Sequence, residues 1–210
     1  NKSKSDFLSR MSHDMRTPLN GIIGLLKIAE KHFDDSELVL ENFGKMQVAA
    51  DYLLSLINDI LQMSKIEDGN VPLTQEIINF DELSQDVLTI IEERAKDRGI
   101  QMQFRAKKEG LRYPFIYGSP VHMRQIFLNI YGNCIKYNRI GGKIITVLDY
   151  TEVVDGITTY EWTITDTGIG MSKEYLKHIF EPFSQEREDA RSTQQGIGLG
   201  MAIVKGLIEK

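Results

Sequence analysis

Cysteine is nearly absent. Cys134 is the single one in 210 residues, so neither an internal disulfide nor a cysteine-based zinc cluster can form, and the chain suits a reducing, cytoplasmic compartment. Proline and glycine are sparse, at 5 and 17 residues, and 41% hydrophobic with 26% charged residues excludes a disordered or collagen-like chain. No apolar run approaches the ~18 residues needed to cross a bilayer, and none follows the polar start NKSKSD, so these residues hold neither a signal peptide nor a membrane segment. Positive charge is not in excess either. With 25 Lys+Arg against 30 Asp+Glu the net charge is -5, which gives no general field for a phosphodiester backbone and excludes nucleic acid as the expected partner. The length allows one large domain or two modest ones. A chain opening on Asn1 rather than Met reads as a piece of a longer polypeptide, whose membrane anchoring lies outside these residues.

What is present begins with heptads. Leu8, Met15, Ile22 and Ala29 recur every seven residues, with Met11, Pro18 and Leu25 three residues behind them, which predicts a coiled-coil type helix. A second stripe runs Phe43, Met46, Ala50, Leu53, Ile57, Ile60, Ser64. The short polar connector HFDDSE predicts an antiparallel hairpin. A hairpin has only one neighbour for its stripes, and pairing two copies gives a four-helix bundle, so a homodimer is expected. EDGNVP marks a domain border near Gly69. Beyond it LTQEIINF and IQMQF read as strands around a helix with Asp81 near its start and Gly99 at its end, and PVHMRQIFLNIYGNCIKYN reads as a second helix. GGKIITVLDY and GITTYEWTIT read as a hairpin of strands, which makes the second domain mixed α and β.

On the first helix His13 falls at position f, away from the seam, next to Asp14. Pro18 removes the N–H that would bond the Asp14 carbonyl, at a cost of ~3 kcal/mol in a helix interior, which suggests a place where bending is used. An exposed imidazole can attack through one ring nitrogen while a carboxylate, here Asp14, holds the proton on the other. Thr17, on the same face as His13, could hold a water for hydrolysis. In the second domain Asn129, Asn133 and Lys136 share a polar helix face: amide oxygens can ligate Mg²⁺ and a lysine can neutralise phosphate. Tyr160, Trp162 and Ile164 share a strand face with Asp166, a carboxylate able to accept from an exocyclic amine such as that of adenine, while Gly168 and Gly170 allow close backbone approach. GIGLGMAIVKGL leads into a helix whose first N–H groups suit phosphate. It matches neither the GxxxxGK[ST] loop nor a Rossmann context.

Taken in order, SHDMRTPLN, NIYGNCIKYN, DTGIGM, FEPF and GIGLGMAIV resemble the H, N, G1, F and G2 boxes of two-component sensor histidine kinases, over essentially the whole chain. The resemblance implies two domains. Residues 1–68 are a dimerisation and histidine phosphotransfer hairpin, and 69–210 are an ATP-binding α+β sandwich of the gyrase, chaperone and histidine-kinase type with a mixed sheet. It implies an ATP-dependent protein-histidine kinase with His13 as phosphoacceptor, Asp14 as assisting acid and Thr17 as the phosphatase-linked hydroxyl. Asn133 is the implied Mg²⁺ ligand with Asn129 nearby, Lys136 contacts phosphate, Tyr137 lies beside the nucleotide and Asp166 recognises adenine. Gly168, Gly170, Gly196, Gly198, Leu199 and Gly200 line the nucleotide. Residues 184–195 resemble the ATP lid, anchored by Phe180 and Phe183, with Arg187 or Arg191 toward the phosphates. The implied partners are a second copy and the receiver domain of a response regulator, separate or in the same parent chain as in hybrid kinases. The alternative is a dimeric nucleotide-binding signalling scaffold without kinase activity. Two departures stand out: Cys134 replaces the family's usual small residue with a thiol that oxidants could reach, and the chain stops at Lys210, short of the family's last strands.

Overall fold

The structure is a computed structural model that describes residues 2–106, 113–150, 158–186 and 198–210. Contacts divide it into two units, one holding residues up to 70 and the described part of 179–203, the other holding 71–178 and 204–210.

The first unit is built on α1 (Lys2–Lys31) and α2 (Ser36–Glu67), antiparallel neighbours. Asp35 starts α2 by accepting from the Leu38 N–H at 3.1 Å, and Gly69, at φ 72°, ends it in the left-handed conformation that glycine adopts without strain. In α1 the heptad positions Met11, Met15, Ile22 and Leu25 are half-buried, and Pro18 and Ala29 are buried. α1 runs unbroken across Pro18. The proline occupies a seam position, where packing offsets the lost hydrogen bond.

Only alternate members of the α2 stripe face inward. Met46, Leu53 and Ile60 are half-buried, while Phe43 (51% exposed), Ala50, Ile57 (39%) and Ser64 point outward. The buried side of α2 is completed by Asn42 and Leu56. Leu40, Phe43, Leu54, Ile57 and Leu61 therefore form a second, exposed apolar stripe at heptad spacing, and Leu19, Ile23 and Leu26 form a counterpart on α1. Among the described residues no helix is long and apolar enough to cross a membrane.

The second unit has two sheets. β1 (Glu76–Asn79) pairs antiparallel with β3 (Phe115–Gly118), and β4 (Lys143–Tyr150) pairs parallel with β2 (Gln101–Ala106) and antiparallel with β5 (Tyr160–Asp166). This is the mixed topology expected, with β3 as an addition that the sequence reading left out. α3 (Phe80–Asp97) starts where Asn79 accepts from the Asp81 N–H, carries Leu83, Val87, Ile91 and Ala95 one turn apart on its buried face, and gives way at Gly99 (φ 65°). α4 (Pro120–Lys136) has its proline in the first turn, where no donor is lost. The core joins Val87, Ile91, Ala95 and Ile100 to Tyr131, Cys134 and Ile135 of α4 and to Ile144 of β4. An adjoining cluster places Trp162 of β5 against Phe80 and Phe127, ring centroids 4.6 and 5.7 Å away.

Along β5 the inward residues Tyr160, Trp162 and Ile164 alternate with the exposed Glu161, Thr163 and Thr165. Asp166 continues the inward parity at the strand's end, opposite the buried Ile144. A single turn of 3-10 helix (Tyr175–Lys177) and α5 (Gly200–Ile208) complete the described elements.

Candidate functional site

The hairpin presents His13 on the outer side of α1, its side chain 79% exposed. Nδ1 lies 3.2 Å from Asp14 Oδ1, so the carboxylate favours the tautomer with its proton on Nδ1 and leaves a lone pair on Nε2 facing solvent. The Thr17 hydroxyl donates to the His13 carbonyl oxygen at 3.3 Å, a long, exposed bond that a water can replace. The structure thus brings His13, Asp14 and Thr17 together on one face. The sequence reading missed Tyr52 and Asp59 of α2. The Tyr52 phenol is pushed up from its ordinary value by burial first and then by the charges of Asp14 and Asp59, and burial raises the Asp59 carboxyl as well. The signal available for them was a polar residue on the seam side of an otherwise apolar stripe.

In the second unit the end of α4 meets the glycine turn after β5. The Ile169 N–H donates to the Tyr137 carbonyl at 3.1 Å, and the Gly168 N–H donates to Asp166 Oδ1 at 2.8 Å. A Cβ at Gly168 would lie 2.5 Å from the Tyr137 oxygen, so this turn admits only glycine without movement. Gly170 follows at φ 70°. The Cys134 thiol of α4 is buried, and burial first, then the nearby Asp166 charge and hydrogen bonding to that carboxylate, push its pKa up to about 12. That corrects the expectation of a thiol open to oxidants, because little thiolate forms and little of the sulfur is accessible.

Asn129, Asn133 and Lys136 are half-buried along α4. Lys136 Nζ sits 4.8 Å from the centroid of the Tyr137 ring. The Asn129 side-chain nitrogen is buried with no hydrogen-bond partner, a polar group awaiting one. Phosphate oxygens can satisfy that amide, and the neighbouring amide oxygens are the hard, neutral donors Mg²⁺ accepts, so this residue set fits the metal and nucleotide the resemblance implies.

In the first unit Phe183 and Gly198 form a backbone clasp. The Phe183 N–H donates to the Gly198 carbonyl at 3.0 Å, with Phe183 at φ 65° and Gly198 at φ 72°. Phe183 is the single non-glycine residue at positive φ among those described. A Cβ on Gly198 would meet the Ser184 carbonyl oxygen at 2.6 Å. Leu199 is buried, and Gly200 opens α5. Gly196, Arg187, Arg191 and most of the expected lid lie outside the described residues.

Residues 3–69 match the family described as the His Kinase A (phospho-acceptor) domain, and residues 118–210 match that of the histidine kinase-, DNA gyrase B-, and HSP90-like ATPases. The sensor histidine kinase GacS of Pseudomonas protegens is 36% identical over 211 residues, covering 99% of this chain and 22% of its own length. The chain therefore spans about a fifth of that curated relative. Among solved structures, full-length ShkA in complex with AMPPNP is 28% identical with a TM-score of 0.64, covering 96% of this chain and 40% of that one. The histidine kinase AdeS of Acinetobacter baumannii, 23% identical, shares the fold with a TM-score of 0.65 over 94% of this chain and 86% of its own. With a phospho-acceptor hairpin followed by this ATPase fold, and with kinase relatives matching along its whole length, the chain belongs to the two-component sensor histidine kinases, of which it is the catalytic core.

Proposed function

We propose that the chain phosphorylates its own His13 from Mg²⁺-ATP and passes the phosphoryl group to an aspartate on the receiver domain of a response regulator. The observation that carries this reading is the exposed imidazole whose Nδ1 faces Asp14 at 3.2 Å. The lone pair on Nε2 attacks the γ-phosphorus in line. The Nε2–P bond forms, the bond from phosphorus to the β,γ-bridging oxygen breaks, and its electron pair leaves on ADP. The ring becomes cationic as it attacks, and Asp14 stabilises or accepts the Nδ1 proton. Mg²⁺, which Asn133 would hold with Asn129 beside it, would supply neutralisation of the phosphate charge. On the protein side Asn133 is the metal ligand with Asn129 beside it, Lys136 turns from the Tyr137 ring to phosphate, Tyr137 flanks the nucleotide, and Asp166 accepts from the adenine amine. Gly168, Gly170, Gly198, Leu199 and Gly200 line the nucleotide.

Residues 1–68 act as the dimerisation and phosphotransfer domain and 69–210 as the ATP-binding domain. Two copies bury their exposed stripes in a cytoplasmic four-helix bundle. In the reverse, phosphatase direction Thr17 releases the His13 carbonyl and orients a water. The test is incubation with γ-labelled ATP and Mg²⁺. Label that is acid-labile and alkali-stable, and lost in His13→Gln with ATP binding retained, supports the reading. Equal labelling of His13→Gln sinks it, and nucleotide binding with no label at all favours the scaffold alternative.

A further inference from the structure

Three segments converge beside the turn that carries Asp166: the end of α4, the start of β4, and Thr167, which lies between Asp166 and Gly168. One amide ties them together. Asn138, two residues past the end of α4, accepts through Oδ1 from the Thr167 hydroxyl at 3.2 Å and from the Arg139 N–H at 3.0 Å. Its Nδ2 donates to the Lys143 carbonyl at 3.2 Å. The Thr167 hydroxyl oxygen accepts from the Lys143 N–H at 2.8 Å, and the Lys143 carbonyl takes the Thr167 N–H at 3.1 Å. A hydroxyl has one proton to give. Asn138 Oδ1 is the nearer acceptor for it, the Lys143 carbonyl lying at 3.5 Å. The amide is fixed in sense as well: turned over, it would set its oxygen against the Lys143 carbonyl oxygen, as a carboxylate would. Gly142 closes over the group, since a Cβ there would collide with Asn138 Oδ1 and lie 2.8 Å from Thr167 Oγ1.

This group adjoins both residues read as holding the base, because Asn138 follows Tyr137 and Thr167 follows Asp166. The backbone bond between the end of α4 and the turn, from the Ile169 N–H to the Tyr137 carbonyl at 3.1 Å, falls beyond Gly168. A glycine can pivot, so that bond alone does not fix what precedes it. The Thr167 to Asn138 bond lies on the Asp166 side of the glycine. We propose that Asn138 and Thr167 are positioning residues that set base specificity: their side-chain bond holds Asp166 where its carboxylate receives the exocyclic amine of an adenine lying beside Tyr137. The inference rests on the reading of Asp166 as the acceptor for that amine. Both residues act through Asp166 and touch no reacting atom. Their bonds are made before any nucleotide arrives, which is the sense in which the base site is preorganised.

Calorimetric titration of the whole chain, with Mg²⁺ and either ATP or purine riboside triphosphate, tests this, because the second nucleotide lacks the exocyclic amine. Thr167→Val removes the hydroxyl and Asn138→Ala the amide. Each weakens ATP binding about fivefold, the factor that one hydrogen bond carries, and leaves the amine-free nucleotide unchanged. The two substitutions together lose no more preference than either alone, because both break the same link. Thr167→Ser keeps the hydroxyl and binds ATP like the unaltered chain. Thr167→Val exchanges side chains of nearly equal size at an exposed position, so it tests the link even where Asn138→Ala does not fold.

Asp166→Ala separates this inference from the reading beneath it. If that variant keeps the preference for ATP, the reading of Asp166 fails and the inference falls with it. If Asp166→Ala loses the preference while Thr167→Val retains it, Asp166 recognises adenine without the link, and the proposal alone is overturned. Both nucleotides weakened alike in Thr167→Val shows a part in folding the turn and refutes positioning, as does Thr167→Ser binding ATP no better than Thr167→Val. A paired substitution that loses about twenty-fivefold puts the two residues on separate paths and refutes the shared link.

Discussion

Gly168→Ala places the sharpest demand on the proposed nucleotide site. A Cβ there would lie 2.5 Å from the Tyr137 carbonyl oxygen, 2.6 Å from Asp166 Oδ1 and 3.1 Å from the Tyr137 carbonyl carbon, all inside the 3.4 Å of ordinary contact. Two of these atoms belong to backbone and the third to a carboxylate already held by the Gly168 N–H, so none can swing aside as the end of a flexible side chain would. Relief means separating the turn from α4. That forfeits the Ile169 N–H to Tyr137 oxygen bond and the Gly168 N–H to Asp166 bond. The first is worth about 1 kcal/mol and the second, to a charged acceptor, about 2, which together correspond to about a hundredfold in an affinity that depends on this turn. Calorimetric titration with ATP measures it directly. Gly132→Ala supplies the contrast: it sits in the interior of α4 with nothing within 4 Å of its added Cβ, and it should stabilise the chain by about 0.5–1 kcal/mol. If Gly168→Ala binds ATP within about twofold of the unaltered chain, the turn does not shape the nucleotide site and the reasoning is wrong.

Other expectations follow from the same structure. Ile57→Glu puts a charge in the middle of the exposed α2 stripe without touching the intrachain seam, so analytical ultracentrifugation should find monomers while circular dichroism keeps its helix content. Cys134 should resist iodoacetamide in the native chain near neutral pH and react once unfolded. Its folded pKa of about 12 exceeds the unfolded value of 9.0, so the unfolded state loses the proton first and stability should fall as pH rises from 9 toward 12 in thermal melts. Burial raises the Asp59 carboxyl above its ordinary 3.8, which by the same sign makes the charged form unfavourable to folding. Asp59→Asn should therefore raise the melting temperature at neutral pH, with the gain disappearing below the ordinary carboxylate range.

Much of the architecture was legible because its signals are local. The seam of α1 needed only the spacing of Met11, Met15, Pro18, Ile22, Leu25 and Ala29, and the start and end of α3 needed only Asp81 and Gly99, while the capping side chain of Asn79 came with the structure. α2 resisted full reading because it is apolar on two sides, and spacing cannot say which stripe turns toward α1: Asn42 went inside while Phe43 stayed out. β3 escaped because FIYG is four residues long and its partner among the described residues is β1, far away in sequence, so nothing nearby in the chain specifies it. At the site, the chemistry-bearing residues could be named from motifs, but the nearness of the buried Cys134 to the Asp166 charge could not. It needed the buried side of α4 and the inward parity of β5 to be read together, and each was visible only separately.

The clasp between Phe183 and Gly198 has a bearing on how this chain can vary. One backbone hydrogen bond holds the two points side by side, so the separation of these ends does not depend on how many residues the sequence puts between them. The entropy of closing a loop grows only with the logarithm of its size, and doubling it costs about 0.6 kcal/mol. A substitution at Gly198, where there is no room for a side chain, falls on the joint itself. Natural variation should accordingly spare this glycine more than it spares the number of residues between the two points.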